Sequence, residues 1–290
     1  MGTPQTPDSV AQALAWAQRH GMDRLDAQLL VLHALNRSGQ ERAWLLAHDT
    51  DALPATALAT LQANVQRRAA GEPLAYITGR KEFFGLDLAV DARVLVPRPD
   101  TETLVDWALE LLTRPTPRLT DSHPRQPLQV LDLGTGSGAI ALALKHTRPD
   151  LQVSAVDASA DALAVAQANA QRLQLDVAFA QGNWLDGVPG RFDVIVSNPP
   201  YIAVADHHLG ALTHEPLSAL ASGADGLEDI RTIIRQAPAH LVPGGWLLLE
   251  HGYDQAGAVR ALLCEAGFTQ AQSHCDLAGF ERCSGACYGC

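Results

Sequence analysis

Four residues at the end of an apolar run are suited to handling a planar nitrogen group. Phe192-Asp193-Val194-Ile195-Val196-Ser197 reads as a buried strand, and Asn198-Pro199-Pro200-Tyr201 follows it at once. The two prolines cannot donate to a sheet ladder, so the strand must end there. Asn198 precedes a proline and is pushed toward extended backbone, which aims its side chain over the carboxyl edge of a sheet. Open α/β sheets bind their ligands at that edge. An amide nitrogen is a feeble nucleophile because its lone pair is delocalised into the carbonyl, so a base alone does not make it react and it must be oriented. The side-chain oxygen of Asn198 and the backbone oxygen of Pro199 can each accept one N–H of an NH2 group, while Tyr201 can stack on its plane. Taken alone, the tetrapeptide reads equally well as a strand exit with a proline stop.

A second constellation lies upstream. Val130-Leu131-Asp132-Leu133 leads into Gly134-Thr135-Gly136-Ser137-Gly138, and the apolar helical run Ala139 to Leu144 follows. Three alternate glycines between a strand and a helix let a ligand approach backbone N–H groups at a helix N-terminus. A further run, Val153-Ser154-Ala155-Val156, ends in Asp157, an acid placed to accept the two ribose hydroxyls of an adenosine. A nicotinamide dinucleotide and S-adenosylmethionine both meet these requirements. The glycine spacing is shorter than the dinucleotide pattern, with Ala139 at the longer position, and no candidate hydride-transfer site follows. Asp132 suits a cationic amino-acid tail better than a pyrophosphate, so the methyl donor is favoured. Gln181-Gly182-Asn183-Trp184, after the run Val177 to Ala180, can hold an adenine by hydrogen bonds and face contact; the alternative for Trp184 is an ordinary core aromatic.

Together, Asp132 to Gly138, Asp157, Asn183-Trp184 and Asn198 to Tyr201 resemble the class I S-adenosylmethionine-dependent methyltransferases that modify exocyclic or amide nitrogens. Gly71 to Gly79, Glu82-Phe83-Phe84-Gly85, Val96-Pro97-Arg98-Pro99-Asp100-Thr101-Glu102, Glu215-Pro216-Leu217 and Gly223 to Leu227 narrow the resemblance to the protein-(glutamine-N5) methyltransferases of the HemK/PrmC family. The likeness runs from about Leu25 to Phe280 and loosens at Gly279-Phe280-Glu281-Arg282. It implies an α/β, Rossmann-like fold and methyl transfer to the glutamine of the Gly-Gly-Gln loop in class I peptide chain release factors. It also implies cofactor-binding residues Gly134, Thr135, Gly136, Ser137, Gly138, Asp157, Trp184 and Asn198, and catalytic residues Asn198, Pro199, Pro200 and Tyr201.

Composition agrees with this. The 290 residues carry 21 Lys and Arg against 32 Asp and Glu, a formal charge of -11. No basic stripe is present, which argues against a protein that grips duplex DNA by its phosphates, and hence against a DNA adenine-N6 methyltransferase. A non-catalytic binding module of the same fold would not need both donor and acceptor motifs. Met1 to Ser9 does not read as a targeting signal, no apolar stretch spans a membrane, and the five cysteines make a disulfide framework improbable; a cytoplasmic protein is expected. Cys283, Cys287 and Cys290 lack a fourth ligand partner, and Asp206, His207, His208 and His214 read as a solvated loop, so no metal site is expected.

The elements that must position these residues fall into three segments. Residues 1–72, with apolar residues at helical spacing broken at Gly21, Gly39 and Pro54, predict four or five short helices, and the family resemblance implies that they dock the substrate protein. Residues 73–100, rich in β-formers and glycine, predict a β-hairpin linker. Residues 101–290 predict the methyltransferase domain: a helix from Thr101, an exposed loop over Thr113 to Pro127, and strands at 129–133, 153–157, 177–181, 192–197 and 246–250 alternating with helices. A closing pair near 269–275 and 280–284 predicts an antiparallel edge on a mostly parallel sheet.

Overall fold

The computed structural model of the chain describes residues 7–113 and 127–290. The interior of the expected loop between Thr113 and Pro127, residues 114–126, lies outside the described residues. The chain divides into two compact units, Met1–Arg80 and Lys81–Cys290.

The first unit is helical, as its periodicity predicts. It consists of α1 (Val10–Arg19), α2 (Arg24–Ala34), α3 (Arg42–Ala47), α4 (Ala55–Ala69) and α5 (Leu74–Thr78). Ser9 caps α1 by accepting the N–H of Gln12, and Asp23 caps α2 by accepting that of Asp26, which satisfies donors the helix itself cannot. Ala13 and Ala17 of α1, Leu30 and Val31 of α2, and Leu61 and Val65 of α4 fall on single helix faces and share one buried core with Ile77 of α5.

Residues 73–100 do not form one hairpin linker. Leu74–Thr78 is helical, because Pro73 presets a helix start and Gly79, at φ 70°, ends it in the left-handed conformation. Only β1 (Arg80–Phe83) and β2 (Leu86–Ala89) make the hairpin. Phe83, Leu86 and Leu88 bury into the core of the second unit, so the segment belongs to that unit as packing.

The second unit then runs α6 (Glu102–Thr113), β3 (Gln129–Leu133), α7 (Ala139–Thr147), β4 (Gln152–Asp157), α8 (Ala160–Leu173), β5 (Ala178–Gln181), β6 (Phe192–Ser197), α9 (Glu228–Gln236), β7 (Leu241–Glu250), α10 (Ala256–Glu265), β8 (Thr269–Cys275) and β9 (Glu281–Tyr288). The strands form one sheet in the order β5-β4-β3-β6-β7-β9-β8. All neighbours are parallel except β9, which runs against both β7 and β8 and makes the expected reversed edge.

Side chains alternate across this sheet with the strand period of two. Val130, Val194, Val196, Trp246 and Leu248 face one apolar layer with α6 and α7. Leu131, Leu133, Ile195, Leu247 and Leu249 face the other with α9 and α10. Burial on both faces explains why these strands read as continuous apolar runs. Strand order reverses at β3, where β4 lies on one side and β6 on the other, and such a switch point leaves a crevice at the carboxyl ends of the two diverging connections.

Candidate active site

Register brings the two constellations to one edge. Leu133 of β3 is paired with Ser197 of β6, so Gly134 and Asn198 are the next residues out on adjacent strands. The buried hydroxyl of Ser197 donates to the Leu133 carbonyl at 2.8 Å and fixes that alignment. Val156 of β4 lies opposite Leu133 on the other side, which places Asp157 at the same level. A cavity of about 310 Å³ opens there. Its lining includes Gly134 to Ser137, Asp157, Asn183, Trp184, Asn198 and Pro200.

On the β3–β4 side the glycine turn is strapped down by its own N–H groups. Gly134 and Thr135 both donate to the Val156 carbonyl, at 2.8 and 3.0 Å. One carboxylate oxygen of Asp157 accepts the N–H of Gly136 at 2.8 Å and the other that of Ser159 at 2.9 Å, so the side chain is held rigid with lone pairs left to face the cavity. The Trp184 ring lies over Gly134: a Cβ on that glycine would sit 3.2 Å from the ring. The indole N–H donates to Asp229 at 3.0 Å, which anchors the ring as one wall.

Asp132 sits beneath this turn with no exposure. One of its oxygens accepts the Thr135 hydroxyl at 2.6 Å and the Ala141 N–H at 3.2 Å, tying strand, turn and helix together. Its other oxygen has no partner among the described residues. Burial pushes its pKa up to about 7, against the opposing pull of Thr135 and Ala141. A buried, half-satisfied carboxyl beside an open glycine turn fits a ligand that carries positive charge.

On the β6 side, the Asn198 Nδ2 donates to the Thr101 hydroxyl oxygen at 3.1 Å. One of the amide's two N–H donors is thereby used, and Oδ1 remains as acceptor. Further lining comes from Arg93 to Leu95, Pro97, Arg98 and Thr101 and from Pro216, Ser218 and Ala219. Glu215 joins the two pieces: it accepts the Val96 N–H at 3.0 Å and a guanidinium N–H of Arg98 at 2.5 Å.

Three of the expected site residues do not line the cavity. Gly138, at φ 84°, is a packing glycine, since a Cβ there would meet Leu142 at 3.0 Å and Ala166 at 3.2 Å. Pro199 is buried behind its neighbours. Tyr201 turns away into the apolar layer of α9 and α10, with its hydroxyl 3.4 Å from a Glu250 oxygen and its carbonyl accepting from Gln255 at 3.0 Å. Burial, then the nearby Glu250 charge, push its phenol pKa upward. The Tyr201 ring, expected to stack on a planar ligand, is thus not part of the cavity lining in this structure.

Sequence reasoning gave no site role to Thr101 or Glu215, which brace the cavity wall through Asn198, Val96 and Arg98, although a threonine opening a helix after two prolines and an acid before a proline stood in plain view. Asp206 caps a short helical turn by accepting from the His208 N–H, with His207 and His208 exposed beside it. His214 is not part of that group. Near the end of the chain the sulfurs of Cys287 and Cys290 lie side by side, while Cys283 is buried and free.

Residues 105–225 match the family model of the methyltransferase small domain, and residues 9–79 match that of the PrmC N-terminal domain. A solved methyltransferase from Pyrococcus furiosus superposes with a TM-score of 0.51 at 22% identity, over 79% of this chain and 97% of its own, a likeness of fold. The seven-stranded sheet, its reversed edge and the glycine turn at the switch point define a class I methyltransferase. A release factor glutamine methyltransferase of Xylella fastidiosa (strain Temecula1) is 48% identical over 98% of this chain and 99% of its own, and one of Bordetella pertussis is 49% identical over 91% and 95%. The chain belongs to the release factor glutamine methyltransferase family.

The buried Asp132 carboxyl generates a test. Folding raises its pKa from 3.8 to about 7, so the folded protein holds a proton there that the unfolded chain has lost. The stability this gives is complete below about pH 4 and disappears as pH rises toward 7. Asp132→Asn removes the dependence. The melting temperature of the variant, measured without ligand and relative to wild type, should rise as pH goes from 4 to 7; a constant difference contradicts the assignment.

Proposed function

We propose that this protein transfers a methyl group from S-adenosylmethionine to the side-chain amide nitrogen of the glutamine in the Gly-Gly-Gln loop of class I peptide chain release factors. The observation that carries the reading is the placement, by one strand register, of the glycine turn and Asn198 at adjacent strand ends in one cavity. Bound there, S-adenosylmethionine supplies an electrophilic methyl group on a sulfonium.

The chain's own residues do the rest. Gly134 and Gly136 allow close approach to the turn, Asp157 offers lone pairs to ribose hydroxyls, and Trp184 borders the base. Asp132 offers a buried acceptor to positive charge. Asn198 Oδ1 accepts one N–H of the substrate amide, which holds the group with its nitrogen lone pair turned toward the methyl group. Pro200 shapes the wall beside them. No histidine or lysine is among the residues lining the cavity, and none is needed. An amide nitrogen that has gained a methyl group is strongly acidic and gives its proton to water.

The helical segment at residues 1–72 is the docking element for the rest of the release factor in this reading. Within that unit, Leu25 (47% exposed) and Leu46 (74% exposed) flank a groove with Arg24 and Arg42, an apolar strip edged by positive charge. No helix among the described residues is long and apolar enough to cross a membrane, and the partner expected is a protein.

Asn198→Ala should lower the single-turnover rate of methyl transfer to a release factor by about two to three powers of ten, the scale of one lost polar contact at a reacting centre, while calorimetry finds donor affinity unchanged. Asn198→Asp keeps an acceptor oxygen but adds charge, and should also be slow. Near-normal rates in both variants would reduce Asn198 to the end of a strand, and faster methylation of duplex DNA than of release factor would overturn the substrate assignment. Leu46→Glu should slow transfer to intact release factor but leave transfer to a short Gly-Gly-Gln peptide as it was; equal effects on both would remove the docking role.

A further inference from the structure

Among the described residues, the large apolar side chains left exposed on the second unit are Val204, Leu217, Tyr253, Leu277 and Phe280. They share one edge. Val204 and Leu217 follow β6, Tyr253 follows β7, and Leu277 and Phe280 lie between β8 and β9, all in connections at the carboxyl edge of the sheet. The connections that return from α7, α8, α9 and α10 at the opposite edge carry none, and neither do those after β3, β4 and β5 on the donor side. Single exposed apolar residues are ordinary, but a set confined to the acceptor side of one edge marks a surface that something covers.

The turn that carries Leu277 and Phe280 holds them out. The buried carboxylate of Asp276 accepts the N–H groups of Ala278 and Phe280, both at 2.9 Å, and the Nε–H of Arg282 at 3.0 Å. Gly279, at φ 86°, closes the turn by donating to the Asp276 carbonyl at 3.0 Å. Leu277 is thereby fully exposed on a fixed support, and Phe280 meets the Tyr253 ring edge-on with 6.1 Å between centroids. Side chains presented by a fixed turn have little freedom left to lose when a partner covers them. The surface is joined to the site. Arg282 reaches Asp100 at 3.6 Å, and Asp100 precedes the Thr101 that accepts from Asn198. Gln255, two residues after Tyr253, donates to the Tyr201 carbonyl at 3.0 Å. Leu217 stands between Pro216 and Ser218, both in the cavity lining.

We propose that Tyr253, Leu277 and Phe280 form a shelf on the catalytic unit that holds an apolar stretch of the release factor next to the loop whose glutamine enters the cavity. The proposal rests on the reading in which a release-factor glutamine is brought to Asn198, and that reading fixes the occupant. A glutamine side chain is short, so the backbone that bears it must pass over the carboxyl edge on the β6 side. The substrate segments on either side of it must then lie on the surfaces that border this edge. Two aromatic rings and a leucine suit apolar and aromatic side chains, whose burial there is favourable without any charge pairing. A second copy of the chain on the same shelf would cover the route by which the glutamine enters.

The test uses the full chain and an intact class I release factor. Leu277→Glu, at a fully exposed position, should raise KM for the release factor about tenfold, the scale of one apolar anchor lost from an interface. It should leave kcat, donor affinity and transfer to a short Gly-Gly-Gln peptide as they were. With p-benzoylphenylalanine in place of Leu277, light should cross-link the protein to the release factor, and mass spectrometry should place the link on an apolar segment near the Gly-Gly-Gln loop. An unchanged KM, an equal loss on the peptide, or a link to a second copy, to a remote part of the release factor or to nothing overturns the proposal. The cross-link should form equally in Asn198→Ala. An unimpaired Asn198→Ala that still cross-links would remove the role of Asn198 and keep the shelf, whereas a wild-type protein that neither methylates nor cross-links the release factor overturns both.

Discussion

Parallel pairing of β6 beside β3, with Ser197 opposite Leu133, is the interaction from which the site follows. It sets two chain segments far apart in sequence at the same height on one sheet edge. The Ser197 hydroxyl has no exposure, and without the Leu133 carbonyl it would be an unsatisfied buried donor costing about 1–3 kcal/mol. A slip of one residue would also turn Val194, Val196 and Ile195 to the wrong apolar layers, which is why the register is specified so strongly. The glycine turn then emerges next to Asn198 as a consequence of packing.

Two buried carboxyls sit behind the two halves of the cavity. Asp132 braces the glycine turn against α7, and Glu250 ends β7 beside the Tyr201 hydroxyl. In each, one oxygen is engaged and the other has no partner among the described residues. In both, burial has raised the pKa to about 7. An apolar residue in either place would be easier to fold around, but neither could accept from a hydroxyl or answer a positive charge.

Much of this was legible in the chain. Apolar runs located the strands within a residue or two over 129–133, 153–157 and 192–197, because strands buried on both faces leave an unbroken apolar record. Asp157, Trp184 and Asn198 were found because a strand-terminal acid, an indole after a strand and an asparagine before two prolines are poorly explained by packing alone. What was not legible depends on orientation. Tyr201 reads as a site aromatic, yet its ring turns into the core beside Glu250, and nothing in its spacing says which way it faces. Gly138 reads as a third ligand-facing glycine, but Ala166 of α8 is the neighbour that requires it. Leu74–Thr78 reads as β-rich, while the proline before it and the glycine after it close a single helical turn or so. Thr101 acquires meaning only when the fold brings the helix start beside Asn198 at the end of β6.

The central claim is that one edge of one sheet holds a methyl donor and a glutamine amide in line. The most direct measurement is to incubate the protein with S-adenosylmethionine and an intact class I release factor and to map the product by tandem mass spectrometry. The account predicts a single methyl group on the side-chain nitrogen of the Gly-Gly-Gln glutamine and none when that glutamine is replaced by glutamate. Methylation on another residue, or an unmodified glutamine under conditions where the donor is bound, would contradict it.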